Sequence, residues 1–429
     1  MNRLINAETV TTRFTYHGVG QGLFYSGEIK CLKNGFNFRF VYDCGSEKLQ
    51  LINSSIRIFR NNSQENEIDL LVISHLHSDH VSGLEELFDN FKIRNVALSY
   101  FSPVERLLIA LRRINLPAWY YEFLADPVAY LVERGVERVI ILGGGGRGFP
   151  PEDFFPSPPE EGSPNKLDID KLPDDEELRG QIIKNDENWQ DYLGKGKLLV
   201  KNHNGYALAI GLWMFRFFNC KILLSTLYEF KKCLRAYGLV DNKSIKDAIR
   251  KRNQLRRLKE CYHIIGKELR NDFNNVSLVL YHGPIGKCAS DVRVSCYSRS
   301  PFWCNPFRTP YEMRILEKGD KIFGHLLTGD INLNTKRHYN ELKQHYSVYL
   351  KDIIAVLIPH HGARRNWNKK MINDIPNGKF WIISAGIKNR YGFPSRNVIG
   401  DVLKAGKTCL WVNEMNYVTL TTSLTKMVI

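Results

Sequence analysis

Asp69–Gly83 reads DLLVISHLHSDHVSG, an apolar run that ends in three histidines and one aspartate within six positions. The run Leu70–Ile73 is short, aliphatic and bounded by polar residues, which predicts a strand buried on both faces. His75 and His77 stand two positions apart, so an extended backbone would point both imidazoles to one side. The stretch therefore predicts a strand whose carboxyl end presents two ligands to one metal ion.

Two further groups in the same stretch extend the expected ligand set. Asp79 and His80 follow where the backbone turns, and they can aim at a second ion beside the first. Imidazole nitrogens combined with carboxylate oxygens favour zinc, with manganese or iron as rivals. The other interpretation is a group of ordinary surface polar residues. We expect one or two zinc ions, with manganese as the alternative.

Motifs elsewhere in the chain occur in the order that a known fold uses. They are GVGQG at 18–22, Asp43 and Gly45 after a strand, SLVL after Asn274 and Asn275, LLTGD at 326–330, PHHG at 359–362 and NRYGFP at 389–394. Together they resemble the metallo-β-lactamase fold, and most closely the soluble hydrolase domain of the ComEC-like competence proteins. The resemblance covers 10–100 and 270–420 well. It implies an α/β protein, a four-layer αβ/βα sandwich with inserted helices and loops that form a cap.

The resemblance implies roles for residues that lie far apart in the chain. Asp330 would bridge two metals, since a shared carboxylate can hold two dications about 3.5–4 Å apart. His360 and His361 would each serve as a ligand or as the general acid that protonates a leaving oxygen. Asp79 would be both a ligand and a catalytic residue. Asp43 is expected beneath the metal loop, bonded to a ligand or to the backbone, with a plain turn aspartate as the alternative.

Two departures from the resembling group bear on the number of ions. Phe393 stands where a histidine is usual, so one site would be weakened to single-metal or substrate-completed coordination. No histidine precedes the strand at Ser277, as is normal for ComEC-like proteins, and His282 and His203 are spare candidates. Phe393 is the main argument for a degenerate protein that only binds.

Substrate contacts are expected next to these motifs. Arg364 and Arg365 follow PHHG directly, and beside a metal site two guanidinium groups would suit a phosphodiester anion. Asn275 is the third expected substrate-binding residue. Aromatic and arginine side chains in 283–320 are able to stack bases, or merely to pack.

The chain of 429 residues is long enough for one elaborated domain or for two. We predict an N-terminal half of the fold at 1–146, an acidic proline-rich insertion at 147–190, core strands at 191–230, a basic helical insertion at 231–272, and a C-terminal half at 273–429 with a loop insertion at 283–320. The acidic insertion is expected to be a solvated excursion, or else a cover for a basic groove.

A net charge of +15 favours a polyanionic partner. The excess is greatest in Lys231–Arg270, where 13 Lys and Arg stand against four acidic residues. Leucine and isoleucine recur there at helical spacing, so one face can pack while the other presents charge to phosphates. A solvated helix face is the alternative.

Cysteine usage and hydropathy indicate a cytoplasmic protein with no membrane segment. Nine cysteines at irregular spacing, without a CxxC pair, argue against a disulfide framework or a structural zinc site. The start MNRLINAETVTTRF is too polar for a signal peptide. Ala207–Leu227 is interrupted by polar residues, so it is expected to form two core strands rather than a membrane span.

The function that these features favour is metal-dependent hydrolysis of a phosphodiester in DNA or RNA by a metal-activated water. Such a protein would suit a bacterial defence or DNA-processing system and could work with an ATPase partner. Two alternatives stay open. One is a hydrolase of a small molecule such as a lactone, thioester or cyclic nucleotide. The other is a catalytically degenerate subunit that binds nucleic acid or a protein.

Overall fold

Two large β-sheets and the helices packed against them make a mixed α/β protein. The computed structural model describes residues 8–33, 35–144, 167–210, 213–220, 227–264, 277–285, 288–298, 311–317 and 323–426. One buried apolar cluster joins helices to the first sheet, a second lies between the sheets, and a third joins the second sheet to helices near the C-terminus. The core therefore consists of three apolar layers separated by two sheets.

The elements have the following bounds. The strands are β1 (Glu8–Tyr16), β2 (Gly22–Cys31), β3 (Asn37–Ser46), β4 (Glu67–Ile73), β5 (Lys92–Ser99), β6 (Arg138–Gly143), β7 (Leu167–Asp168), β8 (Leu198–Asn202), β9 (Ala207–Ala209), β10 (Trp213–Phe218), β11 (Val279–Pro284), β12 (Cys288–Ser298), β13 (Tyr311–Glu317), β14 (Gly324–Leu327), β15 (Ile353–Leu357), β16 (Phe380–Ser384), β17 (Thr408–Val412) and β18 (Asn416–Lys426). The α-helices are Leu49–Asn61, Ser78–Val81, Leu84–Asn90, Pro103–Arg112, Ala118–Ala125, Pro127–Glu133, Glu176–Asn185, Trp189–Gly194, Tyr228–Ala236, Asn242–Arg250, Arg252–Arg257, Lys259–Ile264, Lys336–His345, Lys370–Asp374 and Arg396–Lys404.

The first sheet has the strand order β13-β12-β18-β1-β2-β3-β4-β5-β6-β8, and the second has the order β17-β16-β15-β14-β11-β10-β9-β7. From β3 to β8 the first sheet is parallel, and from β14 to β17 so is the second. Loops that follow the carboxyl ends of parallel strands commonly carry binding residues. Both parallel sets supply such loops to the candidate site.

The strand β4 is buried on both faces, as its apolar run predicts. Leu71 and Ile73 pack in the helix-facing cluster, and Leu70 and Val72 pack in the cluster between the sheets. Because alternate side chains of a strand point to opposite faces, a run without polar interruptions suits a sheet that is covered on both sides. The strand ends just before the histidine-rich turn and so holds that turn against the body of the protein.

The described residues within two of the expected insertions form regular secondary structure. The stretch 283–320 was expected to be rich in loops, but β12 and β13 form there and pair at the edge of the first sheet, beside β18. Within 147–190, the described residues include two helices, and the buried side chains of Ile182 and Trp189 anchor them. One apolar side chain every few residues is enough to anchor a short helix by burial, even where most of the neighbouring residues are charged and the sequence pattern is therefore weak.

The basic block is helical, as expected from its spacing, and the apolar face of each helix packs inward. Ile245, Ala248 and Ile249 are buried, and most of the lysines and arginines are exposed. The block also contains a disulfide between Cys233 and Cys261, a pairing that the expectation against a disulfide framework did not include. Their Cα atoms lie 5.6 Å apart, a separation that two adjacent helices can provide although the sequence spacing gives no sign of it.

The apolar stretch Ala207–Leu227 contributes β9 and β10 to the second sheet. Residues 221–226, where a further strand was expected, lie outside the described residues. Among the helices that the structure describes, none combines the length and the apolar character that crossing a bilayer requires.

Candidate metal centre

Side chains from both sheets converge at the carboxyl ends of their parallel strands. The residues form two groups, and within each group one donor atom per residue lies within 4.8 Å of the others. The first group is His75, His77 and Asp330, and the second is Asp79, His80 and His361. The histidine-rich turn follows β4, whereas Asp330 and His361 follow β14 and β15, so the tertiary fold alone brings the two halves together.

The carboxylate of Asp330 lies at the centre of these groups. Its Oδ2 atom is 3.6 Å from Nε2 of His75 and 3.6 Å from Nε2 of His360. Its Oδ1 atom is 3.4 Å from Nε2 of His80 and 3.8 Å from Nε2 of His361. The two oxygens thus face different imidazoles, which is the arrangement needed for one carboxylate to contact two ions.

Three imidazole nitrogens at this centre are buried without a hydrogen-bond partner. They are the Nε2 atoms of His75, His80 and His361. A buried polar atom without a partner is costly, and such atoms are rare in folded proteins. Imidazole nitrogens around a carboxylate are a donor set that zinc prefers. The side chains present therefore fit a divalent metal ion.

Outer hydrogen bonds orient the same imidazoles through their other nitrogen. Nδ1 of His80 lies 2.7 Å from Oδ2 of Asp43. Nδ1 of His361 donates to the carbonyl oxygen of Ser384 at 2.7 Å. Because an oxygen accepts from Nδ1, the ring is held with Nε2 directed inward. Outer hydrogen-bond partners orient histidine ligands in metal sites in the same way.

Asp43 lies beneath the histidine-rich turn, in the place that the resemblance implies. Besides His80, it accepts hydrogen bonds of 2.6 Å from the backbone nitrogen and from the hydroxyl of Ser74. The Ser74 hydroxyl is also 3.0 Å from Nδ1 of His75. This buried carboxylate thereby links the end of β3 to both sides of the histidine-rich turn.

Glycines allow the histidine-rich turn to approach β2 and β3. A Cβ atom on Gly45 would lie 2.5 Å from the backbone of Asp79 and His80, and one on Gly22 would lie 2.7 Å from the Asp79 carbonyl. Contacts this short are incompatible with any side chain. The glycines of the motifs GVGQG and DCG are therefore required so that the turn can sit against the sheet.

Backbone strain is concentrated in the same place. Among the described residues, the non-glycine positions with positive φ are Asp43, Ile210, His360 and His361, and three of these four lie at the centre. The φ angles are 55° for Asp43, 49° for His360 and 55° for His361. Strained conformations of this kind cost about 1–3 kcal/mol each and cluster at functional sites.

Charge pairing sets the protonation of the second group. Burial works against a charged His80, but the carboxylates of Asp330 and Asp43 outweigh it and raise the pKa of His80 well above its usual value. Burial also opposes ionisation of Asp330, yet the imidazoles of His360, His80 and His361 hold the pKa of Asp330 well below its usual range. The centre therefore retains negative charge on Asp330, which favours a bound cation.

His77 has a different environment because a cation faces it. Burial and then the guanidinium of Arg112 lower the pKa of His77 well below its usual value. The Nη1 atom of Arg112 lies 3.0 Å from both ring nitrogens. A neutral imidazole is the form that binds metals. Arg112 was not predicted as a site residue, since it appears in the sequence only as the end of an amphipathic helix.

The centre opens into a cavity of about 800 Å³. Arg364 and Arg365, the expected substrate contacts, line this cavity and are exposed. Arg112, from the N-terminal half of the chain, lines it too. Asn275, the third expected contact, lies outside the described residues. Tyr120 also lines the cavity, and its hydroxyl donates to the Leu76 carbonyl at 2.8 Å, a contact that no sequence motif indicated.

Phe393 borders the cavity but offers no donor atom. Its ring centroid is 5.6 Å from that of His360 and 6.5 Å from that of His361. The spare candidates do not replace the missing histidine. His282 is buried between the sheets and His203 pairs with Asn219, so neither belongs to the two donor groups. Both groups reach three donors without Phe393.

One comparison with known proteins bears on this region. Residues 18–98 match the family model described as Anti-Pycsar protein Apyc1. The matched segment runs from the glycine-rich turn before β2 into β5, and it includes the histidine-rich turn but not Asp330 or His361. No curated protein shows significant similarity to the chain. The match therefore links the first half of the centre to a named family.

Proposed function

We propose that this protein is a metal-dependent phosphodiester hydrolase with the metallo-β-lactamase sandwich fold, related to the ComEC-like group. Two sheets with an apolar layer between them, and donor residues on loops from both sheets, support the fold assignment. The observation that carries the activity is the set of three buried, unpartnered Nε2 atoms around the Asp330 carboxylate. Such an arrangement is stable when a cation occupies its centre.

The ligands follow from the two groups. One ion would be held by His75, His77 and Asp330 and the other by Asp79, His80 and His361, with Asp330 shared between them. Zinc suits this mixture of nitrogen and oxygen donors, and manganese is the alternative. When bound, such an ion supplies Lewis acidity and a water of lowered pKa.

The two histidines of PHHG take different roles in this proposal. His361 is buried, and its Nδ1 donates to Ser384, so its Nε2 is committed to the ligand group. The His360 side chain is 20% exposed and lines the cavity. In this proposal His360 takes part in proton transfer with the reacting groups, and because burial lowers its pKa its resting form is the neutral imidazole. Asp79, at the edge of the same cavity, is assigned to orienting the nucleophile.

Arginines supply the anion contacts. Arg364, Arg365 and Arg112 line the cavity from two sides of the centre. Guanidinium groups bind phosphate oxygens in paired hydrogen bonds and remain charged at any physiological pH. In the proposed reaction these groups neutralise the phosphodiester and the charge that develops on it, which is the electrostatic part of catalysis.

The biological setting is inferred from the matched family. Its name, Anti-Pycsar protein, describes a protein that acts against a system called Pycsar. From this name we propose that the chain acts in the conflict between phages and bacteria. An ATPase partner and a cytoplasmic location stay predictions from the sequence.

The experiment is a paired measurement on the purified full chain. Metal content is determined after purification without added ions, and hydrolysis of bis(p-nitrophenyl) phosphate is followed with added zinc or manganese. We expect about one or two ions per chain and metal-dependent turnover. The double variant His77→Ala/Asp79→Ala should lose at least about a hundredfold in kcat/KM, because it removes one donor from each group.

The control is His203→Ala, which removes a buried histidine outside both groups. Equal turnover by the double variant and the wild type would refute the proposal. A chain that holds no metal and still binds DNA would instead be a degenerate binding subunit, the alternative that Phe393 raised.

A second candidate function is hydrolysis of a small phosphodiester such as a cyclic nucleotide. The cavity of about 800 Å³ favours it, since pockets for small molecules commonly measure about 300–1,000 Å³. The same metal centre and arginines would serve both substrates, so residues outside the cavity must discriminate between them.

A further inference from the structure

A basic groove adjoins the cavity of the candidate metal centre. It has a volume of about 1000 Å³, and four residues line both spaces: Arg364, Arg365, Arg396 and Asn397. Lys369, Lys370 and Lys404 extend the groove away from the centre. We call the six cationic residues among these the basic groove.

Among the described residues that line the groove, six cations face a single carboxylate, that of Asp401. Asp401, the acidic residue among those that line the groove, accepts a hydrogen bond of 3.0 Å from Trp367. Asp374, which lies close enough to Lys370 to interact with it, pairs with Lys343 at 2.8 Å and with Tyr339. All six cationic side chains are exposed. Unpaired cations along a groove concentrate anions there.

An aromatic pair also lines the cavity. The rings of Tyr391 and Phe393 are stacked at 5.5 Å with an angle of 18° between their planes, and both residues line the cavity. The guanidinium of Arg390 lies 4.9 Å from the Tyr391 ring centroid. Tyr391 is exposed and Phe393 is half-buried. Aromatic side chains beside a basic track are features of proteins that bind single-stranded nucleic acid, because bases stack while phosphates follow the charge.

A small cyclic phosphodiester would leave this groove empty. It carries one negative charge, which Arg364 and Arg365 beside the centre are sufficient to meet. Lys369, Lys370 and Lys404 extend away from the centre, so they would contact a substrate only if it continues beyond the reacting phosphate.

We propose, on the basis of the proposed hydrolase function, that the basic groove binds the phosphates that flank the scissile one, so that the substrate is a single-stranded polynucleotide. The groove would then set a minimum substrate length. It would hold the chain through its backbone, without reading the base sequence.

The test compares two triple variants that each remove three positive charges. The groove variant is Lys369→Ala/Lys370→Ala/Lys404→Ala. The matched control is Lys33→Ala/Lys184→Ala/Lys197→Ala, outside both the groove and the basic helices, where the three side chains are also exposed. Turnover is measured on bis(p-nitrophenyl) phosphate, a cyclic mononucleotide, and dinucleotides and 12-mers of single-stranded DNA and RNA. Binding of the 12-mers is measured separately by fluorescence anisotropy.

We expect the groove variant to lose at least about tenfold in 12-mer binding and in kcat/KM for the 12-mer, with bis(p-nitrophenyl) phosphate turnover unchanged. The dependence of log K on log salt should become shallower by about 2, since three phosphate contacts are lost at about 0.7 each. The control variant should keep the wild-type values. The DNA and RNA arms report which polymer is preferred.

Three outcomes would overturn the proposal that the basic groove binds flanking phosphates. The first is an equal loss in both triple variants, and the second is equal turnover of the 12-mer and the cyclic mononucleotide by the wild type. The third is 12-mer binding that the groove variant does not weaken. If the wild type does not hydrolyse bis(p-nitrophenyl) phosphate, the hydrolase function fails, and the anisotropy comparison still decides whether the groove binds a strand.

Discussion

Two of the buried histidine clusters in the described part of the chain differ in their surroundings. One is the candidate metal centre, and the other lies between the sheets, where the rings of His282 and His325 are 4.9 Å apart. The histidines of the two donor groups and of the second cluster are almost completely buried. Only the first cluster contains carboxylates and imidazole nitrogens without partners. Burial of histidine therefore does not mark a site, and the unpaired donor beside an acidic group does.

Hydrogen bonds satisfy the cluster between the sheets. The indole nitrogen of Trp213 donates to Nδ1 of His282 at 3.1 Å, so Nε2 of this ring carries the proton and donates to the Tyr25 hydroxyl at 2.8 Å. That hydroxyl in turn donates to Nδ1 of His325 at 3.2 Å. Burial lowers the pKa of His325 to about 3, and that of His282 is also lowered, by burial and then by His325. These imidazoles stay neutral and structural.

The largest expected effect comes from removing the central carboxylate. Asp330→Asn keeps the size of the side chain but removes the negative charge that faces all the ligand groups. We expect loss of bound metal and a drop in phosphodiester turnover of at least about a thousandfold. Metal analysis and steady-state kinetics measure this. The variant His282→Phe, in the other cluster, should retain its metal, and an Asp330→Asn protein with normal metal content would break the comparison.

A smaller effect, on metal affinity, is expected when the carboxylate that orients His80 is replaced. Asp43→Asn replaces the carboxylate that accepts from Nδ1, and outer partners of this kind change metal affinity by about 10- to 100-fold. Competition with a chromophoric chelator gives the affinity. Tyr25→Phe is the matched change in the core cluster and should leave the affinity as it is. If Asp43→Asn binds metal as tightly as the wild type, Asp43 has only a structural role.

The smallest effect concerns stability and pH. His325 is neutral in the folded protein down to about pH 3, whereas an unfolded histidine takes up a proton near pH 6.5. Its contribution to stability is therefore complete above pH 6.5 and falls as the pH drops toward 3, by about 1.4 kcal/mol per pH unit. Urea unfolding from pH 6.5 to 4.5 should give a shallower pH dependence for His325→Phe than for the wild type. Parallel curves would show that His325 is charged in the fold.

The sequence was most informative where the functional residues are neighbours along the chain. The histidine-rich turn, the strand before it and the amphipathic basic helices could be predicted because their periodicity and spacing are local. Asp330 and His361 could be proposed only from the order of motifs. Arg112, Tyr120 and the pairing of Cys233 with Cys261 were missed, because each depends on contacts between elements that the sequence keeps apart. The strands β12 and β13 pair with each other, but they join the first sheet through β18, which is remote in sequence, and both were missed.

By itself, the sequence determined the chemical types available to this protein: a compact set of imidazoles and carboxylates, glycines where the backbone must approach closely, and a surplus of cations. Only the tertiary structure decided which imidazoles face a carboxylate with an unpaired nitrogen and which are satisfied by tyrosine and tryptophan. It also decided that Lys369, Lys370 and Lys404, on two different helices, border one groove beside the candidate centre. The reason is physical: metal affinity and anion binding depend on distances and directions between side chains, and these are set by how the strands of two sheets are ordered and packed.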